Sequence, residues 1–310
     1  MNVIMTLLAL LFSIQVSATS LNKIVVFGDS LSDNGNLYEY MKHELPLSPP
    51  YFQGRFTNGP VWVELLADAY YPKDGPAHLL DYAFGGAGVS EEVDDDDDEE
   101  VLFTLRREVD SYLLSHQDQA DASSLYIVWM GSNNYLGVPT DEEQAVAAVV
   151  LGIRHDVERL VKKGAQHIMV VNVSDLGRTP AAKDFDAVDA LTSLSNKHNQ
   201  RLKENMAELR QLYPDVQWLY FDVNQVLDDL LMSPEQYGFT NITDTCYEEM
   251  VDNPSGRSIL TMVSTVKSRR AVDACTGYLF FDPVHPTAPA HQIMVERTKK
   301  MLDEAGITFE

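Results

Sequence analysis

The sequence predicts an α/β fold, with a parallel sheet of about five strands carrying helices on both faces in one domain. Three observations carry this expectation. Five short runs are continuously apolar rather than alternating, as strands covered on both faces are. Amphipathic stretches long enough for helices separate them. Neither an internal repeat nor a Pro/Ser-rich linker divides the chain.

In chain order, the first strand is expected at 23–27, where Ile24, Val25 and Val26 lead into Phe27. A helix over 60–70 follows, with Pro60 placed in its first turn, where a missing N–H costs nothing. The second strand, 79–84, runs into Gly85, and a helix is expected over 101–116. The third strand, 125–130, stops at Gly131; the helix after it spans 142–163 and ends at Gly164. Residues 167–173 form the fourth strand, 184–212 a long helix ended by Pro214, and 216–221 the fifth strand. A last helix runs from about 287 to 304.

With 310 residues, 45% of them apolar and 23% charged, the chain can bury a core without metal or covalent staples. Its formal net charge of −24 leaves no basic stripe to neutralise phosphates, so a nucleic-acid partner is excluded. Residues 1–18 read as a secretory signal: an uncharged start, an apolar run over 4–14, then Val16, Ser17 and Ala18 before the cleavage point. The run is too short to span a bilayer, and a buried terminal strand or helix is the alternative. The mature domain is then 19–310, exported and periplasmic or extracellular.

Two cysteines, Cys246 and Cys275, are expected to bridge in an exported protein, with two free thiols as the alternative. Such a bridge contributes about 3–4 kcal/mol in the chain-entropy account. Two cysteines without clustered histidines make no zinc site, and no cofactor motif is present. Nine of the ten residues 91–100 are acidic; without a turn glycine or spaced ligands, the run reads as a solvated insertion rather than a calcium loop.

The chemistry lies at strand tips. Ser30, in Phe27-Gly28-Asp29-Ser30-Leu31-Ser32-Asp33, follows the first strand, where open α/β sheets place their ligands. A serine hydroxyl needs a base and an oriented acid to become a nucleophile. Asp282 and His285, three residues apart and stiffened by Pro283 and Pro286, supply both: Asp282 accepts from Nδ1 and leaves Nε2 to face Ser30. Helix-start amides behind Ser30 are expected to help hold negative charge. Two more clusters follow neighbouring strands, Tyr82 to Gly88 and Trp129 to Asn134. Their backbone amides and asparagine side chain can join the Ser30 amide as an oxyanion hole; alternatively the glycines only turn the chain and Asn133 only caps a helix.

These blocks resemble those of the GDSL, or SGNH, family of serine esterases and lipases, in order from about residue 23 to 291. The resemblance implies a flavodoxin-like three-layer α/β/α sandwich. It implies Ser30, Asp282 and His285 as the catalytic residues, with Ser30, Gly86 and Asn133 as the oxyanion donors. The segment Gly54-Arg55-Phe56-Thr57-Asn58-Gly59-Pro60-Val61-Trp62 is similar to another block of these enzymes. Within the family the chain most resembles bacterial secreted lysophospholipases, phospholipases A and glycerophospholipid–cholesterol acyltransferases. That resemblance implies a lysophospholipid or phospholipid substrate, transient membrane-surface contact, and a disulfide loop 246–275 open to an activating protease near Lys267, Arg269 and Arg270. Acyl transfer to an alcohol, carbohydrate acetyl-ester cleavage and non-catalytic binding are the rival readings. Leu31, Tyr51, Phe52, Phe56, Trp129, Tyr135, Tyr278 and Phe280 are candidate walls of an acyl groove.

Overall fold

A computed structural model describes residues 19–89, 103–246 and 275–310. The expected signal (1–18), the acidic run (91–100) and the interior of the disulfide loop lie outside the described residues. The central sheet holds five parallel strands: β2 (Lys23–Gly28), β3 (Leu79–Asp81), β4 (Ser124–Trp129), β5 (His167–Val171) and β6 (Gln217–Phe221). Their order is β3-β2-β4-β5-β6, every pair parallel. From β2 the chain crosses to one neighbour, β3, and returns on the other side to β4. The order therefore reverses at β2, and the switch point lies beside its tip, where doubly wound sheets open a crevice. Register brings Gly28 of β2 level with Trp129 of β4, so the segments that follow these strands emerge side by side.

Successive side chains of each strand enter opposite cores. Val25, Phe27, Tyr126, Val128, Ile168 and Val170 join one; Ile24, Val26, Leu125, Ile127, Met169 and Val171 join the other. This is why the strands are apolar without alternation. Helices α4 (Leu105–Ser115), α6 (Glu142–Lys162) and α8 (Val188–Leu212) close the first face through Val109, Val149 and Leu194. Helices α2 (Trp62–Tyr70), α9 (Val223–Met232) and α10 (Ala288–Glu304) close the second through Leu66, Val226 and Met294. Short helices α1 (Asn36–Tyr40), α3 (Gly75–His78), α5 (Ser132–Tyr135) and α7 (Pro180–Asp184) fill connections.

Several expected boundaries move for local reasons. Val61 caps α2, and its N–H donates to the Glu64 side chain at 3.0 Å, so Pro60 stands outside the helix rather than in its first turn. Thr104 caps α4 through the Arg107 amide, which starts that helix four residues later than expected. The stretch expected as one helix from 184 breaks at Phe185 into α7 and α8. Helix α9 went unread in the sequence, although Asp222 caps it through the Gln225 amide and Val223, Val226 and Leu230 repeat at helical spacing.

Two small parallel pairs lie outside the main sheet. Strand β1 (Thr19–Leu21) pairs with β9 (Ile307–Phe309), tying both ends of the described chain together. Strand β7 (Asn241–Thr245) pairs with β8 (Tyr278–Phe280). Just beyond this pair Cys246 and Cys275 form a disulfide, as the cysteine count suggested. No described helix is long and apolar enough to cross a membrane.

Candidate active site

Ser30 sits in a tight turn directly after β2, where the Ser32 and Asp33 amides both donate to the Asp29 carbonyl. The turn is not a helix start, contrary to the expectation: α1 begins only at Asn36. The amides of Asn36 and Leu37 are taken by the Asp33 carboxylate, so they do not serve Ser30. The segment 281–287 folds back from β8, with the Phe281 amide donating to the His285 carbonyl. That fold places His285 Nε2 2.7 Å from Ser30 Oγ and His285 Nδ1 2.6 Å from Asp282 Oδ2. The other carboxylate oxygen, Oδ1, accepts the backbone N–H groups of Val284 and His285 at 2.9 and 2.8 Å. An alcohol and, more than 250 residues further along the chain, a carboxylate and an imidazole thus form one hydrogen-bonded line, nearly closed to solvent.

The asparagine and glycine blocks meet beside it. Asn133 Nδ2 donates to the Ala87 carbonyl at 2.7 Å, which locks α5 to the turn after β3. An amide nitrogen has two hydrogens, so the second stays available to a ligand. Gly86 has φ of +79°, a conformation that side chains resist, and this keeps the turn open to glycine alone. The amide before it, Gly85 N–H, donates to Asp33 Oδ2 at 2.7 Å. A Cβ on Gly85 would meet the Phe56 ring at 2.3 Å, and that ring packs in turn against His285 at 5.2 Å between centroids. Thr57 Oγ1 donates to the Pro286 carbonyl and Asn58 accepts from the Ala288 amide. The 54–62 segment therefore braces the histidine loop against the glycine turn.

In front of Ser30 and His285 opens a cavity of about 850 Å³, solvent mouth included. Val226, Leu230, Leu279, Phe280, Ala290 and Met294 make its wall overwhelmingly apolar, with Asn133 at the catalytic end. Of the candidate wall residues, Leu31, Trp129 and Phe280 line it; Tyr51, Phe52, Phe56, Tyr135 and Tyr278 do not. Tyr51 and Phe56 pack behind the triad instead, and Tyr135 bonds to His198 in the opposite core. The cavity lies between β8, α9 and α10, and the unread helix α9 supplies Val223, Val226, Leu227 and Leu230 to its wall.

The model of the family described as GDSL-like Lipase/Acylhydrolase matches residues 24–298. The chain belongs to the GDSL family. As a GDSL acylhydrolase it is a carboxylic-ester hydrolase, and the matched span runs from β2 into α10, taking in every block described above. The phosphatidylcholine-sterol acyltransferase of Aeromonas hydrophila is 31% identical over 94% of this chain and 92% of its own length. Secreted effector protein SseJ of Salmonella typhimurium is 31% identical over 91% of this chain, and the chain spans 64% of that relative. The thermolabile hemolysin of Vibrio parahaemolyticus is 26% identical over 92% of this chain, again across 64% of the relative. A solved GDSL-like lipase from Parabacteroides merdae shares the fold at 13% identity, with a TM-score of 0.50 over 93% of this chain and 97% of that one.

Electrostatics around this GDSL site are set by burial. Burial pushes the Asp282 carboxyl up; the charge and hydrogen bond of His285, the Tyr51 hydroxyl and the Val284 amide together hold it below the usual carboxylate value. Asp29 and Asp33, buried with fewer opposing charges, are pushed up to about 6 despite the backbone amides they accept. Asp81 and Glu108 are driven further in the same direction, first by burial, then by the charges of Asp33 and Glu64 on Asp81 and of Asp81, Asp29 and Asp33 on Glu108. His291, next in from His285, is lowered to about 3 by burial and by that neighbour. It accepts the Trp62 amide on Nδ1, which fixes α2 to α10.

Three residues of this surround escaped the sequence reading. Asp33 gathers the amides of Gly35, Asn36, Leu37 and Gly85. Glu108, on α4, accepts the Gly28 amide at 2.8 Å and holds the strand tip beneath Ser30. Tyr51 donates to Asp282 at 2.7 Å across 231 residues of sequence. Asp33 stands inside the Ser30 motif and carried a local signal; the other two act only through tertiary contacts.

Proposed function

We propose that this enzyme is a lipid acyl hydrolase that cleaves the ester of lysophospholipids, and next of diacyl phospholipids, through an acyl-serine. Ser30 Oγ attacks the ester carbonyl while its proton passes to His285 Nε2, and Asp282 supports the imidazolium formed. The Ser30 amide, the Gly86 amide and Asn133 Nδ2 hold the oxyanion. His285 returns the proton to the leaving alcohol, and a water activated by the same imidazole then releases the fatty acid.

The observation that carries the substrate class is the apolar cavity that begins at Ser30 and His285. An acetyl group would leave that wall in contact with water, whereas a long acyl chain covers it. Each buried methylene is worth about 0.8 kcal/mol, or roughly fourfold in kcat/KM if realised in the transition state. A ladder of p-nitrophenyl esters should therefore climb by up to about 15-fold per pair of carbons from acetate until the cavity is full. Lysophosphatidylcholine should outpace phosphatidylcholine, and acetylated sugars should be poor substrates. A flat ladder with efficient acetate release from sugars would replace the lipid reading with a carbohydrate esterase.

Transfer of the acyl group to a sterol or another alcohol is the second reading, favoured by the relative named as a phosphatidylcholine-sterol acyltransferase. It uses the same acyl-serine and differs only in the acceptor that replaces water, so adding cholesterol to the phospholipid assay and measuring cholesteryl ester decides it. Export through residues 1–18, contact with a membrane surface and proteolytic activation in the 246–275 loop belong to this proposal. The disulfide and the relative named as a secreted effector support the first of these.

A further inference from the structure

We propose that Tyr51 is a positioning residue of the triad, acting through Asp282 to set how much carboxylate charge reaches the His285 imidazole. The inference rests on the assignment of Ser30, His285 and Asp282 made above.

Tyr51 Oη donates to Asp282 Oδ2 at 2.7 Å, and that same oxygen accepts His285 Nδ1 at 2.6 Å. With both Oδ1 positions filled by the Val284 and His285 amides, the carboxylate receives four donors, all that its lone pairs admit. Tyr51 is the one among them that comes from a distant segment. The hydroxyl therefore competes with the imidazole for a single oxygen. Charge that the phenol neutralises is charge withheld from the imidazolium.

The ring is placed by packing rather than by that bond. It stands edge-on to Phe281 at 5.1 Å and to Phe56 at 6.1 Å, almost without exposure. Its own backbone is tied at both ends, the Tyr51 amide donating to the Leu47 carbonyl and Ser48 Oγ donating to the Tyr51 carbonyl. Removing only the hydroxyl should leave ring, loop and Asp282 where they are. Tyr51 also lies apart from the acyl cavity, so substrate binding does not depend on it.

The titratable groups facing His285 are Asp282 from its own segment, Asp29 from the turn after β2 and His291 from α10. Tyr51 faces Asp282 from the loop before α2. Only the last contact changes in a Tyr51→Phe variant, so a change in the acid limb of kcat/KM reports it. That limb marks the pH at which His285 becomes neutral and able to accept the Ser30 proton. Loss of the phenol leaves more charge facing Nδ1, stabilises the imidazolium and should raise the limb by about half a unit to one unit. KM should stay unchanged, because Tyr51 lies outside the cavity.

The reverse perturbation guards against a simple loss of fold. Site-specific replacement of Tyr51 by 3-fluorotyrosine keeps the ring's place and makes the hydroxyl a stronger donor, so the limb should move down. Opposite shifts in the two variants establish the proposal. A limb that stays put in both, or moves the same way in both, overturns it. Ser30→Ala assayed alongside tests the triad itself: survival of ester cleavage there would defeat the underlying assignment, whatever Tyr51 does.

Discussion

In the proposed mechanism Asn133 gives the oxyanion one amide hydrogen while the other is already committed to Ala87, so its direction is fixed before substrate arrives. Such preorganised donors act on the transition state more than on the ground state. Replacing Asn133 by Ala should cut kcat by about 10²–10³-fold with little change in KM, since one oxyanion donor is typically worth about 3–4 kcal/mol. Steady-state kinetics on a soluble ester check this, and a loss confined to KM would assign Asn133 to substrate binding instead. Ser30, Asp282 and His285 could be singled out from the sequence because their signals are local: a Gly-Asp-Ser motif at the end of an apolar strand, and an acid three residues from its base. Tyr51 could not, since its meeting with Asp282 depends on how the loop before α2 packs against the segment after β8.

At the level of elements, what the chain declares depends on whether burial or a distant partner decides the structure. Strands β2, β4, β5 and β6 were legible because burial on both faces demands continuous apolar runs. Helices α6 and α10 were legible from length and periodicity. Strand β3 proved three residues long: the Tyr82 and Phe84 amides still donate to the Val26 and Gly28 carbonyls, but the Gly28 amide goes to the Glu108 carboxylate and returns no bond to β3. The pairs β1–β9 and β7–β8 left little trace, each a parallel match between segments that are short and far apart. The active-site frame was thus readable. Part of the cavity wall was readable too, through Leu31, Trp129 and Phe280, while the part from α9 was not, since the ten residues of that helix hold only three buried side chains.

The whole molecule carries an unusual charge balance. Its formal net charge is −24, and three carboxyl groups lie buried around the Ser30 turn, Asp29, Asp33 and Glu108, with Asp81 half-buried beside them. A carboxyl raised to about 6 in the folded protein binds its proton more tightly there than when unfolded. Its contribution to stability is complete below the ordinary carboxylate value of 3.8 and is lost as pH rises through about 6. Asp282, held low, works the other way, but its window lies below the ordinary value and does not overlap. Thermal unfolding of the disulfide-intact protein should therefore occur at least about 2 °C higher at pH 5.5 than at pH 8. A higher Tm at pH 8 would mean that these buried groups fold ionised.

The most direct measurement of the central claim is mass spectrometry of the protein after reaction with a fluorophosphonate, with Ser30→Ala treated in parallel. The account predicts one equivalent of adduct on the peptide carrying Ser30, no adduct in the variant, and loss of ester hydrolysis there by at least about 10³-fold. An adduct on another residue, or a variant that still turns over ester, would contradict it.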